Sequence, residues 1–393
     1  MLNKNLVILS LSQIFSFTAA PITVFLSGII GSQISPIKSL STLPMSISVV
    51  GIAVGAIFAT KLMSLIGRKA GFICASLGNS LVSILAAYSI MEQNFILFCV
   101  ANFFLGVGMA FTHQYRFAAA ESVEKDKIPK AISIILLGGI ISAFVGPGIA
   151  NFSKDIISDQ LYVGSYISLS ILTIIPVIFF LFYENISKLK KEIKHSGRSY
   201  MELISQPKFL QAMIASAFGY SIMTFLMTAT PLSMHVMEKI SLDKTSMVIQ
   251  FHVASMFLPS LLTGHLIKKI GHSLVMYAGI FLYSVTILIS FFDQTYMNYM
   301  FALIFLGLGW NFLFISGTSL LVLTYKEEEK FKAQGLNDFI VYSIHATGSL
   351  SAGILIVLTN WKFMNMMCIP LLIIIILTIL RADIHSKKLI KNN

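Results

Sequence analysis

Residues 60–69, TKLMSLIGRK, and residues 264–273, GHLIKKIGHS, are two copies of one loop. A shift of 204 positions matches Leu62 with Leu266, Ile66 with Ile270 and Gly67 with Gly271. Each copy lies between two apolar runs and carries a glycine and cations. The glycine lets a chain turn tightly between helices, and the cations hold such a turn on the cytoplasmic side of a membrane. A loop used twice at matching places implies a fold built twice. Six apolar spans repeated in this way are the layout of a secondary transporter whose halves rock about a central site.

Composition agrees with a membrane protein. Hydrophobic residues make up 56% of the chain, charged residues 11%, and the mean hydropathy is +0.83. A soluble domain carries about 25% charged residues. Apolar runs of roughly 20 residues recur along the chain, each enough to cross about 30 Å of hydrocarbon as a helix. They are continuous rather than alternating, which selects helices over a barrel. Twelve spans are predicted, at 6–30, 43–66, 71–90, 95–116, 131–152, 162–183, 209–236, 245–267, 273–292, 299–324, 335–358 and 364–381. The first, with Ala19 and Ala20 at a signal-peptide-like site, continues past Pro21 and reads as an uncleaved helix.

With the N-terminus inside, the inner segments hold 23 of the 28 lysines and arginines; Lys38, Lys154, Lys239, Lys244 and Lys362 are the outer ones. Both termini are therefore expected in the cytoplasm. The net charge of +11 is mostly topogenic and faces lipid headgroups, leaving nothing for a nucleic acid to explain. The longest polar stretch, residues 184–208, reads as a cytoplasmic linker, partly an amphipathic helix. It joins a six-helix bundle at 1–183 to a second at 209–393 that ends in a short cytoplasmic tail.

Here the chain resembles the major facilitator superfamily, whose loop signature is Gly-x-Leu-x-Asp-Arg-x-Gly-Arg-Lys. The first copy keeps Leu62, Gly67, Arg68 and Lys69, with Thr60, Ser64 and Leu65 in place of the first glycine, the aspartate and the arginine. The second keeps Gly264, Leu266, Lys269 and Gly271, with Lys268 where the acid would stand. NFFLGVGMA resembles the family's Arg-x-x-x-Gly-x-Gly segment with Asn102 at the arginine's place, and GGIISAFVGPG (138–148) resembles a signature of its drug antiporters. The physical content of that second motif is a small-residue packing face with Pro147 bending the helix. HQYRFAAAE (113–121), FHVASMFLPSLLTG (251–264) and QGLNDFIVYS (334–343) resemble a bacterial permease subgroup associated with vitamin or riboflavin uptake.

An ionisable group within a span costs roughly 3 kcal/mol, so each one is a functional candidate. His252 and His345 are candidates for proton coupling, against a neutral imidazole making one interhelical hydrogen bond. His235 lies near an outer helix end and reads as interfacial. Since the family's loop aspartate helps close its inner gate, the resemblance implies a swapped gate here, with Lys61 or Arg68 meeting Asp338; capping of its own helix is the alternative for Asp338. On the other side, Lys268 and Lys269 have Glu121, Glu124 or Asp126 as partners, and Arg116 with Glu121 either joins this latch or is solvated. Pro259 and Gly264 give the eighth span freedom to bend.

In this fold the solute lies near the midplane, among the first, fourth, seventh and tenth spans. Candidates there are Gln13, Asn102, Tyr220, Thr224, Trp310 and Asn311, with Gln250 from the eighth. Aromatic faces suit a flat or partly apolar solute, and amides orient it. The missing central acid disfavours a strong cation, and the missing central base disfavours sugar phosphates and di-acids.

Cys74, Cys99 and Cys368 lack metal or disulfide spacing. There is no GxxxxGK[ST] and no nucleophile–base arrangement, so neither ATP-driven transport nor an enzyme is expected, and no cofactor or metal. No filter-like segment or ring of like charges suggests a channel. The expectation is an all-α membrane protein of twelve helices in two pseudo-symmetric halves. It is a monomer in the bacterial cytoplasmic (inner) membrane, moving a small organic solute by alternating access with protons and contacting membrane lipids. An exporter of drugs or siderophores with the same fold, and a sensor that has lost transport, stay open as alternatives.

Overall fold

A computed structural model describes residues 3–37, 40, 43–156, 161–186 and 197–392. The side chains of Pro147 and His235, Lys38, and residues 187–196 of the linker lie outside the described residues. Helices carry the architecture, with no strand among the described residues.

Nine described helices are long and apolar enough to cross a membrane, and ten if Met247–Phe257 and Leu262–Ile270 count as one bent span. Two physical details raise this to twelve. Leu43–Met91, 49 residues long, is two spans fused through Gly67. Lys330–Leu358, 29 residues and about 43 Å long, is long enough to cross and carries Lys330, Lys332 and Asp338 in its first part. The remaining spans are Lys4–Gly31, Phe95–Glu121, Lys125–Ser153, Val163–Leu181, Pro207–Pro231, His272–Ile289, Tyr296–Val322 and Trp361–Lys388. Apolar side chains line their outer faces, with Ile96 at 75% and Phe152 at 77% exposed, as lipid contact requires.

The repeated loop repeats in its backbone. Gly67 has φ 83° and ψ 163°, and Gly271 has φ 85° and ψ 164°. This region of conformational space is open essentially to glycine alone. The repeat extends into packing. Phe104-Leu105-Gly106-Val107-Gly108 recurs 201 positions later as Phe305-Leu306-Gly307-Leu308-Gly309, a signal beyond the loop copies. A Cβ on Gly106 would lie 1.9 Å from the Ser48 carbonyl oxygen, and one on Gly307 2.7 Å from that of His252. Gly108 likewise meets the Asn79 side chain and Gly309 that of Tyr283. Ser48 and His252, and Asn79 and Tyr283, are again 204 apart.

Two compact units result. The first comprises Met1–Glu124, Gly138–Ser196 and Gln334–Tyr342; the second comprises Lys125–Leu137, Gly197–Ala333 and Ser343–Asn393. Each sequence half thus gives one short helical stretch to the other's unit. In the first unit, Leu43–Met91 packs along Phe95–His113 and Val163–Leu181. In the second, Tyr296–Val322 packs against Pro207–Pro231, Leu242–Phe257 and His272–Ile289.

Two bending expectations resolve differently. The eighth span does break at Leu258–Pro259, by 45°. Gly264 serves packing instead of bending: a Cβ there would lie 2.9 Å from the backbone of Lys130. Its counterpart across the repeat, Thr60, takes the same kind of approach from Gly335. The 138–148 motif also packs, with Gly138 against Gln13 and Gly146 against Pro21.

Candidate functional site

The first unit holds a buried charge cluster at the end of the fourth span. The helix Phe95–His113 turns at Gln114 and resumes as Tyr115–Glu121, and the turn brings Gln114 and Arg116, two residues apart, to Asp338. Gln114 Nε2 donates to Asp338 Oδ2 at 2.8 Å, and Arg116 Nη2 forms an ion pair with Oδ1. Asn337 Nδ2 donates to Oδ1 at 3.0 Å, and Arg116 Nη1 donates to the Tyr342 hydroxyl at 3.2 Å. Arg116 is 2% and Asp338 1% exposed, so the pair is desolvated. Removing one partner of such a pair costs about 3–5 kcal/mol, because the other charge stays buried.

One turn away, Arg68 grips Glu121 with two nitrogens, Nε to Oε2 at 2.8 Å and Nη2 to Oε1 at 2.5 Å. Arg68 Nη2 also donates to Gln334 Oε1 at 2.7 Å, and Gln334 Nε2 donates to Glu121 Oε1 at 3.2 Å. The paired fork fixes orientation as well as distance. The His113 ring lies 4.6 Å from that of Tyr342.

These bonds correct the expected gate. Lys61 is exposed and does not meet Asp338; Arg116, two residues beyond the helix break at Gln114, takes that place. Arg68 meets Glu121 and Gln334 instead. A lysine ammonium at the membrane edge is better hydrated than buried, whereas a guanidinium presents several donors to a carboxylate already bonded by amides.

In the second unit, Lys268 Nζ and Asp126 Oδ2 are 2.9 Å apart on the surface, while Lys269 is exposed. A tighter contact there involves Arg198 of the linker. Its Nε donates to Glu329 Oε1 at 2.9 Å and its Nη2 to Oε2 at 2.5 Å. Arg198 Nη2 also reaches the Thr324 carbonyl, and Lys332 Nζ donates to the Arg198 carbonyl at 2.6 Å. The guanidinium bonded to Glu329 holds its carboxyl down at about 2.

The second unit also contains an aromatic cluster. Trp310 stacks on Phe314 with centroids 4.9 Å apart and planes 12° apart, and Phe257 and Tyr220 meet Trp310 edge-on at 5.8 and 5.3 Å. Tyr220 and His345 have centroids 4.4 Å apart, with planes tilted by 35°. These last two are half-buried while Trp310 and Phe314 are buried, so Tyr220 and His345 form the accessible edge and the indole backs it. Trp310 Nε1 has no partner among the described residues.

The other predicted residues divide. Thr224 is buried on the seventh span, near this cluster in sequence. Gln13 and Asn102 are buried in the first unit, where Asn102 Nδ2 donates to the Phe98 carbonyl at 2.8 Å. Gln250 is exposed. His252 is fully buried, with Nδ1 2.7 Å from the Leu303 carbonyl, so the ring joins two helices. Asn311 is also fully buried, and its amide bonds entirely to the eighth span.

Gln114, Asn337, Gln334 and Tyr342 each neighbour a predicted charge in sequence, and helical spacing from Arg116 and Asp338 would have found them. Arg198 and Glu329 gave no such signal, since a basic linker and the run Glu327–Glu329 both read as solvated charge.

Twelve helical spans, two internal copies of a loop-and-glycine pattern and buried polar clusters at span ends define a multi-pass membrane transporter of a small-molecule solute, and not an enzyme. The chain belongs to the Major Facilitator Superfamily, whose model matches residues 6–258 and 223–392. It is 32% identical over 379 residues to the riboflavin transporter RfnT of Brucella anthropi, covering 96% of this chain and 95% of that one. Among solved structures it resembles a bacterial homologue of the iron transporter ferroportin in its outward-facing state, with TM-score 0.74, 11% identity and coverage of 97% and 100%. It also resembles the transporter FucP in its outward conformation, with TM-score 0.72, 16% identity and coverage of 95% and 98%. At these identities the structures bear on fold alone.

Proposed function

We propose that this secondary transporter moves riboflavin or a closely similar flat heteroaromatic solute across the bacterial cytoplasmic membrane by alternating access, with both termini in the cytoplasm. The aromatic cluster of the second unit carries the reading. Tyr220 and His345 offer a ring face backed by Trp310 and Phe314, with an indole N–H free to donate. Such faces bind a planar tricyclic ring by stacking, while the absence of a central charge suits a neutral solute. The relationship to RfnT over nearly the whole chain supports the same class.

The charge cluster of the first unit supplies the cycle's lock. Helix Lys330–Leu358 lends its 334–342 stretch to that unit, and Arg68–Glu121–Gln334 and Arg116–Asp338 hold it there. Release of this stretch opens the cytoplasmic end. We assign the coupling proton to Asp338, because protonation removes the negative partner of Arg116. His252 is the weaker candidate, since its ring is held between helices by the Leu303 carbonyl.

Uptake of radiolabelled riboflavin by a riboflavin-auxotrophic host expressing this chain tests the substrate. Tyr220→Ala should raise KM about fivefold, from loss of about 1 kcal/mol of stacking. Uptake indistinguishable from vector alone would reject the flavin reading. A pH profile that Asp338→Asn leaves unchanged would reject the proton assignment.

A further inference from the structure

The eighth span is broken, and its break is tied to one side chain on the tenth. Pro259 has no N–H to give the Ser255 carbonyl, and the arms on either side, Met247–Phe257 and Leu262–Ile270, diverge by 45°. Asn311 bridges both arms. Its Nδ2 donates to the Met256 carbonyl at 2.6 Å and to Ser260 Oγ at 2.7 Å, and its Oδ1 accepts from Thr263 Oγ1 at 2.5 Å. Met256 precedes the break and Ser260 and Thr263 follow it. Asn311, Ser260 and Thr263 are fully buried, where each bond lacks competition from water.

We propose that Asn311 is a positioning residue for transport: its amide sets the angle of the broken eighth span and so places Phe257 against Trp310. Phe257 is the last residue before the break, and Trp310 is the sequence neighbour of Asn311, so one side chain fixes both the hinge and the back wall of the aromatic cluster. The role in transport rests on the proposed function of that cluster; the clamp on the hinge does not. An amide suits the task because it donates twice and accepts at once, which no hydroxyl or carboxylate does at neutral pH.

The test uses the full chain in lipid nanodiscs without solute, carrying spin labels at exposed positions 251 and 269, one on each arm. The unvaried hinge should give one narrow distance, shorter than the about 27 Å of a straight helix. Asn311→Ala should broaden or lengthen it by more than about 3 Å, a motion of the kind one-turn helix adjustments allow. Thr263→Val, nearly isosteric, should do the same to a smaller degree and guards against a misfolded first variant. Adding Pro259→Ala to Asn311→Ala should restore a narrow distribution near the straight-helix value, since a continuous helix needs no clamp. In parallel, riboflavin uptake should fall at least tenfold in Asn311→Ala.

An unchanged distance distribution in Asn311→Ala overturns the clamp, whatever happens to uptake. A changed distribution with full uptake overturns its role in transport. Absence of riboflavin uptake by the unvaried protein strikes the substrate reading alone, because the distances are measured without solute.

Discussion

Replacing Asp338 by alanine should be among the most damaging single changes in the first unit. It removes the carboxylate that pairs with the Arg116 guanidinium, which is 2% exposed. The penalty is that of an uncompensated buried charge, about 3–5 kcal/mol, or about 6–20 °C in apparent melting temperature for a unit of this size. Arg116→Ala should cost as much, since it strands the carboxylate. The double change Arg116→Leu, Asp338→Leu should lie within about 1 kcal/mol of the unvaried protein, because an apolar pair removes both desolvation penalties together. The assay is thermal unfolding of purified protein in nanodiscs, followed by tryptophan fluorescence, as a complete double-mutant cycle that adds the single variants Arg116→Leu and Asp338→Leu to the double. The coupling should exceed about 3 kcal/mol, and Lys61→Ala, at an exposed site, should shift stability by less than about 0.5 kcal/mol. If the double variant lost the sum of the single losses, the two residues would act independently and the buried lock would have to be abandoned.

Gly67→Ala and Gly271→Ala should each cost about 1–3 kcal/mol from backbone strain, with Gly67 the worse because a Cβ there would also lie 2.9 Å from Asn185 Nδ2; equal losses at both sites would count against that contact. Glu329 has a depressed carboxyl in the folded state, so the stability it contributes is present above its unfolded value near 4.3 and is lost as pH falls toward about 2. The melting temperature of the unvaried protein should therefore fall across that window, while Glu329→Gln, already lacking the ion pair, should lose this component. His252→Gln should lower stability by about 1–3 kcal/mol through its bond to Leu303 yet leave the pH profile of uptake unchanged; a flattened profile would return the proton to the histidine.

Much of the fold could be read because membrane helices write themselves in long apolar runs, and loop glycines in a strained region tolerate no other residue. That is why Gly67 and Gly271 marked the repeat so clearly. Candidate residues were harder, since polarity within a span shows that a side chain has a purpose but not which neighbour it serves. Asn311 illustrates the gap: beside Trp310 it reads as a solute ligand, yet all three of its hydrogen bonds turn toward the eighth span. Lys61 and Arg116 illustrate another. Their distances from Asp338 in sequence are uninformative, and only the turn at Gln114 decides which cation is buried. Arg198 and Glu329 meet across more than a hundred residues, which no local pattern encodes.

The two copies repeat their backbones more faithfully than their charges, and the difference bears on how the cycle is controlled. Across the repeat, Arg68 corresponds to His272, so the second copy lacks the guanidinium that in the first copy binds Glu121 and Gln334. The ion pair that the second unit does form near its loop, Lys268 with Asp126, is exposed at 59% and 50% of the two side chains. Such a pair contributes about 0–1 kcal/mol and weakens with salt, whereas the first unit's pairs are withdrawn from water and resist screening. The ion pairs beside two loops built on one backbone plan are therefore unequal. The exposed pair yields to thermal motion, so under the proposed lock the first unit's hold rests on Arg68 and Arg116, while the second unit's tight pair is Arg198 with Glu329. Under the proposed assignment, a proton at Asp338 would neutralise the buried partner of Arg116 and change that balance by several kcal/mol.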